Sequence, residues 1–280
     1  MSSSSNPAID FQLYRYVPSR AAAILFLVLF IITTAYHIYQ VVRMRSWYML
    51  VFVTGGVFQV IGYICRILAH DDNKSIPIYS VQTILILLAP PLYAASIYMT
   101  LGRLIRYLGA ESQSLIPTKW LTKIFLVGDV VAFLMQAAGG GIMASGTIEA
   151  METGENITIA GLCVQLLFFS VFIITSAVSH FRIRKNPTPT SLEVTAMDWR
   201  KTSWKTIMLV LYTSSVLILI RSIFRLVEYV QGNSGYLISH EVYMYVFDSM
   251  LMFLTMIVMS VYHPSKLLGS RANKERVNSW

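Results

Sequence analysis

Long apolar runs separated by short polar stretches organise this chain from end to end. Seven stand out: Ala21–Val42, Trp47–Ala69, Ile78–Leu101, Trp120–Ser145, Thr158–His180, Lys205–Val227 and Ser239–Tyr262. A helix needs about 20 residues to cross the hydrocarbon core of a bilayer, and runs this long and numerous exceed what a globular core takes up. The pattern predicts an all-α polytopic membrane protein with seven transmembrane helices. Gln82 and Pro90-Pro91 interrupt the third run. Prolines are accepted in membrane helices where neighbouring groups satisfy the carbonyls they release, so a kinked helix is expected there.

Residues 1–20 are polar and read as an N-terminal segment, 21–262 as the transmembrane domain and 263–280 as a basic tail. The first run is longer than the core of a signal peptide and no small-residue cleavage pattern follows it, so it is expected to be the first membrane helix. The longest connection, Phe181–Trp204, is polar and contains proline; no connection has the length of a further domain. Composition agrees with the pattern. The mean hydropathy is +0.60, and 13% of residues are charged, against about 25% in a soluble domain.

Charge adds an orientation. The connections after the first, third and fifth runs, their flanking helix starts and the tail hold 16 of the 22 Lys and Arg residues. The other three connections hold Lys74 alone, and one of them carries Glu149, Glu152 and Glu155. The positive-inside rule then predicts an N-terminus outside and a C-terminus in the cytoplasm. Both N-x-S/T sequons, at Asn73 and Asn156, fall in connections assigned to the outside, where a glycan acceptor must lie. The net charge of +8 therefore speaks to orientation and to anionic lipid headgroups, and not to nucleic acid. The two cysteines, Cys65 and Cys163, read as small buried hydrophobes rather than a disulfide.

Ionisable residues within a span are costly and face a cavity or a partner. Asp129 and Gln136 are seven residues apart, on one helix face and about 10 Å apart along the axis. Gln59 and Arg66 repeat that spacing, and Arg221, Arg225 and Glu228 form another single stripe. Asp248 lies within the seventh run, with His240 and Glu241 at its mouth, and Gln82 sits in the outer part of the third. By depth most of these groups gather in the outer half, and Arg221 and Asp248 are expected to pair. The set points to a polar cavity open to the outside. Asp129 falls in the inner half, with His37 its nearest titratable neighbour by depth. His180 and His263, at helix ends, are expected at the interface. For Gln136 and Gly139–Gly141, helix–helix packing and substrate contact remain alternative readings.

Other seven-helix chemistries lack their residues. The last run has no lysine for a retinal Schiff base. The third ends Leu101-Gly-Arg103 and the seventh ends Tyr262-His-Pro264, without the Asp-Arg-Tyr and Asn-Pro-x-x-Tyr of G-protein-coupled receptors. The five histidines divide between the two faces, with no H-x-x-x-H, which leaves an intramembrane zinc hydrolase as a minor alternative. No phosphate-binding loop is present, so transport would be passive, ion-coupled or driven by a partner. No internal repeat of the kind secondary carriers use is evident.

Several stretches together resemble the fungal lipid-translocating exporter family, known also for aminocholesterol resistance. They are Tyr16-Val-Pro18, Gly62-Tyr-Ile-Cys-Arg66, Leu87-Leu-Ala-Pro-Pro91 after Gln82, and Gly128-Asp129 through Gln136-Ala-Ala-Gly-Gly-Gly141. Arg221-Ser-Ile-Phe-Arg-Leu-Val-Glu228 and the closing Glu241, Asp248 and His263-Pro264 complete the set. The resemblance runs from about residue 14 to 266. It implies a multi-pass protein of the plasma membrane or an endomembrane, with no cofactor and no catalytic residues. It further implies release or translocation of sphingoid long-chain bases or other toxic amphiphiles. Some members handle porphyrin or haem. The rival reading is a lipid-responsive receptor or regulator of a separate flippase, which would add a membrane partner. The expected substrate-binding residues are Asp248, Arg221, Arg225, Glu228, Glu241, Arg66, Gln59, Gln82, Asp129 and Gln136.

Overall fold

With no water in the hydrocarbon core, a lipid-exposed backbone must satisfy its own amides, and an apolar run has the helix as its solution. In the computed structural model the described residues are 19–71, 76–143, 147–196, 203–232, 235–265 and 267. Seven helical spans among them have the length and apolarity to cross a membrane. They are α1 (Arg20–Met44), α2 (Leu50–Asp71), α3 (Ile76–Tyr107), α4 (Thr118–Met143), α5 (Ile148–Lys185), α7 (Trp204–Val230) and a composite last span, Glu241–Val261. Two short helices lie in connections: α6 (Pro189–Ala196) and α8 (Tyr236–Ser239).

Several boundaries differ from the sequence pattern. The helix expected over Thr158–His180 begins at Ile148 and ends at Lys185, because Thr147 caps it and accepts from the Ala150 amide. Glu149, Glu152 and Glu155 therefore lie in its first turns rather than in a connection. Acidic residues suit the positive end of the helix dipole there. Asn156 sits on the same helix, exposed, and Asn73 lies outside the described residues. The last span is α9 (Glu241–Met244), a π turn (Tyr245–Ser249) and α10 (Met250–Val261).

The spans pack as a ring in chain order, α1 against α2, α2 against α3, and so on to α10, which returns to α1. α3 also meets α7 and is the central helix: 72% of its most apolar window is buried, against 33% in α1, α4 and α5. It runs unbroken through Pro90 and Pro91. The outer faces carry exposed Leu25, Ile32, Val127, Leu134, Leu167 and Leu209, a lipid-facing surface. Cys65 and Cys163 are both free, and Cys163 is exposed on that surface rather than buried.

Small residues set how closely helices approach. A Cβ added at Gly139 would lie 2.4 Å from the Gly154 carbonyl oxygen, and one at Gly154 would lie 2.5 Å from that of Gly139. α4 and α5 therefore meet backbone to backbone. Three residues before Gly139, Gln136 donates to Gln165 Oε1 across the same seam at 3.1 Å. Helix packing accounts for Gln136 and Gly139, whereas Gly140 and Gly141 face open space.

Candidate functional site

The polar residues of α2, α7 and the last span converge in the half of the bundle nearer Ser19. At its rim, both carboxylate oxygens of Glu241 accept from the Ser19 amide, at 2.9 and 2.8 Å, so Glu241 holds the start of α1. The same carboxylate pairs with Arg66 on α2 at 2.8 Å. Arg66 Nε donates to the Tyr245 hydroxyl at 3.0 Å, and its guanidinium lies 5.2 Å from the Tyr245 ring centroid. Tyr63, one turn before Arg66, hydrogen-bonds Ser249. Three spans are thereby tied together at one level.

Deeper in, Arg221 on α7 pairs with Asp248, as their depth and opposite sign predicted. Its Nη2 also reaches the Ile86 carbonyl at 3.4 Å. That carbonyl is the one Pro90 leaves without a helical donor, since proline has no N–H and the missing bond is the i to i−4 one. Pro90 of α3 and Arg221 of α7 are thus parts of one arrangement. Asp248 itself stands in the π turn, a feature that often marks functional positions in helices.

A second pair, Arg225 with Glu228 at 2.7 Å, lies along the α7 stripe. Arg225 Nε approaches Asp248 Oδ2 to 3.9 Å, and neither atom has a hydrogen-bond partner. The three arginines and three acids compensate one another in charge. All are buried or nearly so, with Arg66 and Arg221 side chains at 1% and 2% and Glu241 the most open at 14%. In this conformation the groups expected to line an open cavity close on one another instead. Gln59 and Gln82 are buried at the α2–α3 side, where Gly62 lets the two helices touch.

The remaining expected residues fall elsewhere. Asp129 does not meet His37. Its Oδ2 accepts from the Tyr98 hydroxyl on α3 at 2.9 Å, while His37 Nε2 lies 3.0 Å from the Met256 carbonyl and 2.9 Å from Ser260 Oγ on α10. His263, expected at the interface, is fully buried, with its ring 6.4 Å from that of His37. His180 is half-buried, 3.2 Å from the Tyr212 hydroxyl. Among the described residues no group of three or more His, Cys, Asp or Glu converges to hold a metal ion. An open groove of about 680 Å³ lies between the turn at Glu111–Gln113 and the end of α5, with Phe181, Arg182 and Lys185 on its wall.

Sequence reasoning missed Tyr98, Tyr245 and Ser249 as members of these clusters. A buried hydroxyl in a membrane helix needs a partner, so tyrosines level with a charged residue on a neighbouring span were the available signal.

Seven membrane-crossing helices around compensating Arg–carboxylate pairs define a polytopic membrane protein. The chain belongs to the RTA1-like family: the family described as "RTA1 like protein" matches residues 52–271. It is 37% identical to Protein RTM1 of Saccharomyces cerevisiae, over 92% of this chain and 94% of that one. It is also 37% identical to Protoporphyrin uptake protein 1 of the same species, over 90% and 91% of the two chains. Identity to the Sphingoid long-chain base transporter RSB1 from a strain of that yeast is 26%, over 91% of this chain and 74% of the relative. No solved structure matches. The resemblance carried by the sequence motifs thus holds at the level of the family.

Proposed function

We propose that this protein moves amphiphilic lipids, sphingoid long-chain bases first among them, along the buried ion-pair network and without an ATPase of its own. The observation that carries the reading is the mismatch between Arg225 Nε and Asp248 Oδ2, 3.9 Å apart and each without a hydrogen-bond partner. A buried polar atom left unpaired is costly. A ligand ammonium or hydroxyl entering there satisfies Asp248 as the pairs exchange partners. Opening the network toward the Ser19 end requires Glu241 to release Arg66 and the Ser19 amide, which would create the outward-facing cavity. Asp248, Arg221, Arg225, Glu228, Glu241 and Arg66 would handle the headgroup, with Gln59 and Gln82 beside them, while the tail stays in the bilayer. The sphingoid-base relative supports this substrate class.

The protoporphyrin relative favours a second reading, in which propionates engage Arg66, Arg221 and Arg225 instead of an amine engaging the acids. The basic wall of the α5 groove, Arg182 and Lys185, suits anionic lipid headgroups on the cytoplasmic leaflet, with the N-terminus outside. A plasma-membrane or endomembrane location follows from this role. The rival role, a lipid-responsive regulator, requires a partner protein.

Purified protein in vesicles without ATP or a second protein, given a labelled sphingoid base or protoporphyrin, separates these readings. Faster transbilayer movement of the base, abolished in folded Asp248→Asn, supports the proposal. Movement of protoporphyrin alone supports the second reading. Failure of folded wild-type protein to move either one overturns autonomous transport of these substrates.

A further inference from the structure

Asp129 is a carboxylate in the middle of α4 that the ion-pair network does not use. It is 2% exposed, and its hydrogen bond is the one from Tyr98 on α3. The Tyr98 ring packs against Phe125, Phe169 and Phe172, all buried. α4 packs chiefly against α3 and α5. From α3 the titratable group facing Asp129 is Tyr98. From α5 the neighbouring side chains are Phe168, against Gly128, and the phenylalanines around Tyr98. His180, further along α5, turns to Tyr212 and Trp204. On α4 itself Phe125 and Ala132 flank Asp129, both buried. Among the described residues no Lys, Arg or His comes within ion-pairing distance of this carboxylate.

An ionised carboxylate without a compensating cation is strongly disfavoured in such surroundings. A metal cation needs several converging oxygens, whereas the site offers one carboxylate and one phenol. A proton is the ligand that fits. We propose that Asp129 and Tyr98 form a proton-exchange site: Oδ1 takes up one proton while Oδ2 keeps the Tyr98 hydrogen bond, and the proton leaves when the helices part. α3 carries both Tyr98 and the Ile86 carbonyl held by Arg221, about 18 Å apart along one helix. Protonation at one end is thereby linked to the ion pairs at the other. The coupling to lipid movement rests on the transport reading; the proton site does not.

Two measurements separate the two claims. Infrared spectra of the protein in nanodiscs, taken from acid to alkaline pH, should contain a protonated-carboxyl band that titrates and disappears in Asp129→Asn. In Tyr98→Phe, which retains the carboxyl, the band should shift in frequency as its hydrogen bond is lost. Absence of an Asp129 band, a band constant at every pH, or no shift in Tyr98→Phe overturns the site. In vesicles moving a labelled sphingoid base, an imposed pH gradient should speed transport several-fold, and Asp129→Asn should remove that stimulation. An unchanged response in Asp129→Asn overturns the coupling. Loss of all transport in the wild type would overturn the transport reading, and the infrared titration would still decide the proton site.

Discussion

Asp248 and Asp129 are both carboxylates in the interior of the same helix bundle, with 1% and 2% of their surface exposed, yet their surroundings differ in kind. Asp248 stands in a π turn against Arg221, with Arg225 approaching from the same helix. Asp129 stands in a regular helix against one phenol and a set of aromatic rings. The first is paired with arginine, at a place where three spans are tied together. The second has nothing to hold its charge. The comparison teaches that burial alone does not define a polar site in a membrane: a compensated pair acts as a latch between helices, and an uncompensated acid acts as a place for a proton.

The largest expected effect breaks the latch from one side. Asp248→Leu leaves Arg221 buried without its counter-ion, which should cost about 3–5 kcal/mol and show as a large fall in thermal stability in detergent. Adding Arg221→Met should recover most of that loss, because removing both members of a buried pair is often neutral. A double variant no more stable than Asp248→Leu would mean that the Ile86 carbonyl, and not the aspartate, is the arginine's main partner.

The same experiment at the other acid should give a smaller result. Asp129→Leu strands the Tyr98 hydroxyl at a cost of about 1–3 kcal/mol, and Asp129→Asn, which keeps an acceptor, should be close to neutral. Thermal unfolding of the two variants side by side checks this. A penalty for Asp129→Asn as large as that for Asp248→Leu would mean that Asp129 is compensated after all.

The α4–α5 seam gives a steric test. Gly139→Ala places a methyl group against the Gly154 backbone and should cost about 1–3 kcal/mol, with the helices forced apart. Gly140→Ala meets open space and should be neutral or stabilising by up to about 1 kcal/mol through helix propensity. Matched unfolding curves for the two neighbours sharpen the assignment of that glycine run to packing.

The number of spans was legible in the sequence because a bilayer leaves an apolar run of about 20 residues with one way to satisfy its backbone. The opposite signs and common depth of Arg221 and Asp248 were legible too, since position along a straight helix translates directly into depth. Other features were hidden. Nothing in the run from Thr158 backward announced that α5 begins at Ile148, because the acidic turn that looked like a connection also suits a helix N-terminus. Depth alone made His37 the nearest titratable candidate to Asp129, and depth does not say which helices are neighbours.

That last point divides what each level determined. The sequence by itself determined the class of protein and the seven spans, through hydropathy, helix rise and the cost of unpaired amides in lipid. Only the tertiary structure decided which groups meet. α3 lies at the centre of the bundle, and that placement sets Tyr98 beside Asp129 and the carbonyl released by Pro90 beside Arg221. The π turn presents Asp248 to α7. Depth is a one-dimensional quantity that a helix repeat fixes locally, whereas partnership depends on the rotation and neighbour order of whole helices. Those are set by packing across the bundle, through contacts as specific as that of Gly139 with Gly154.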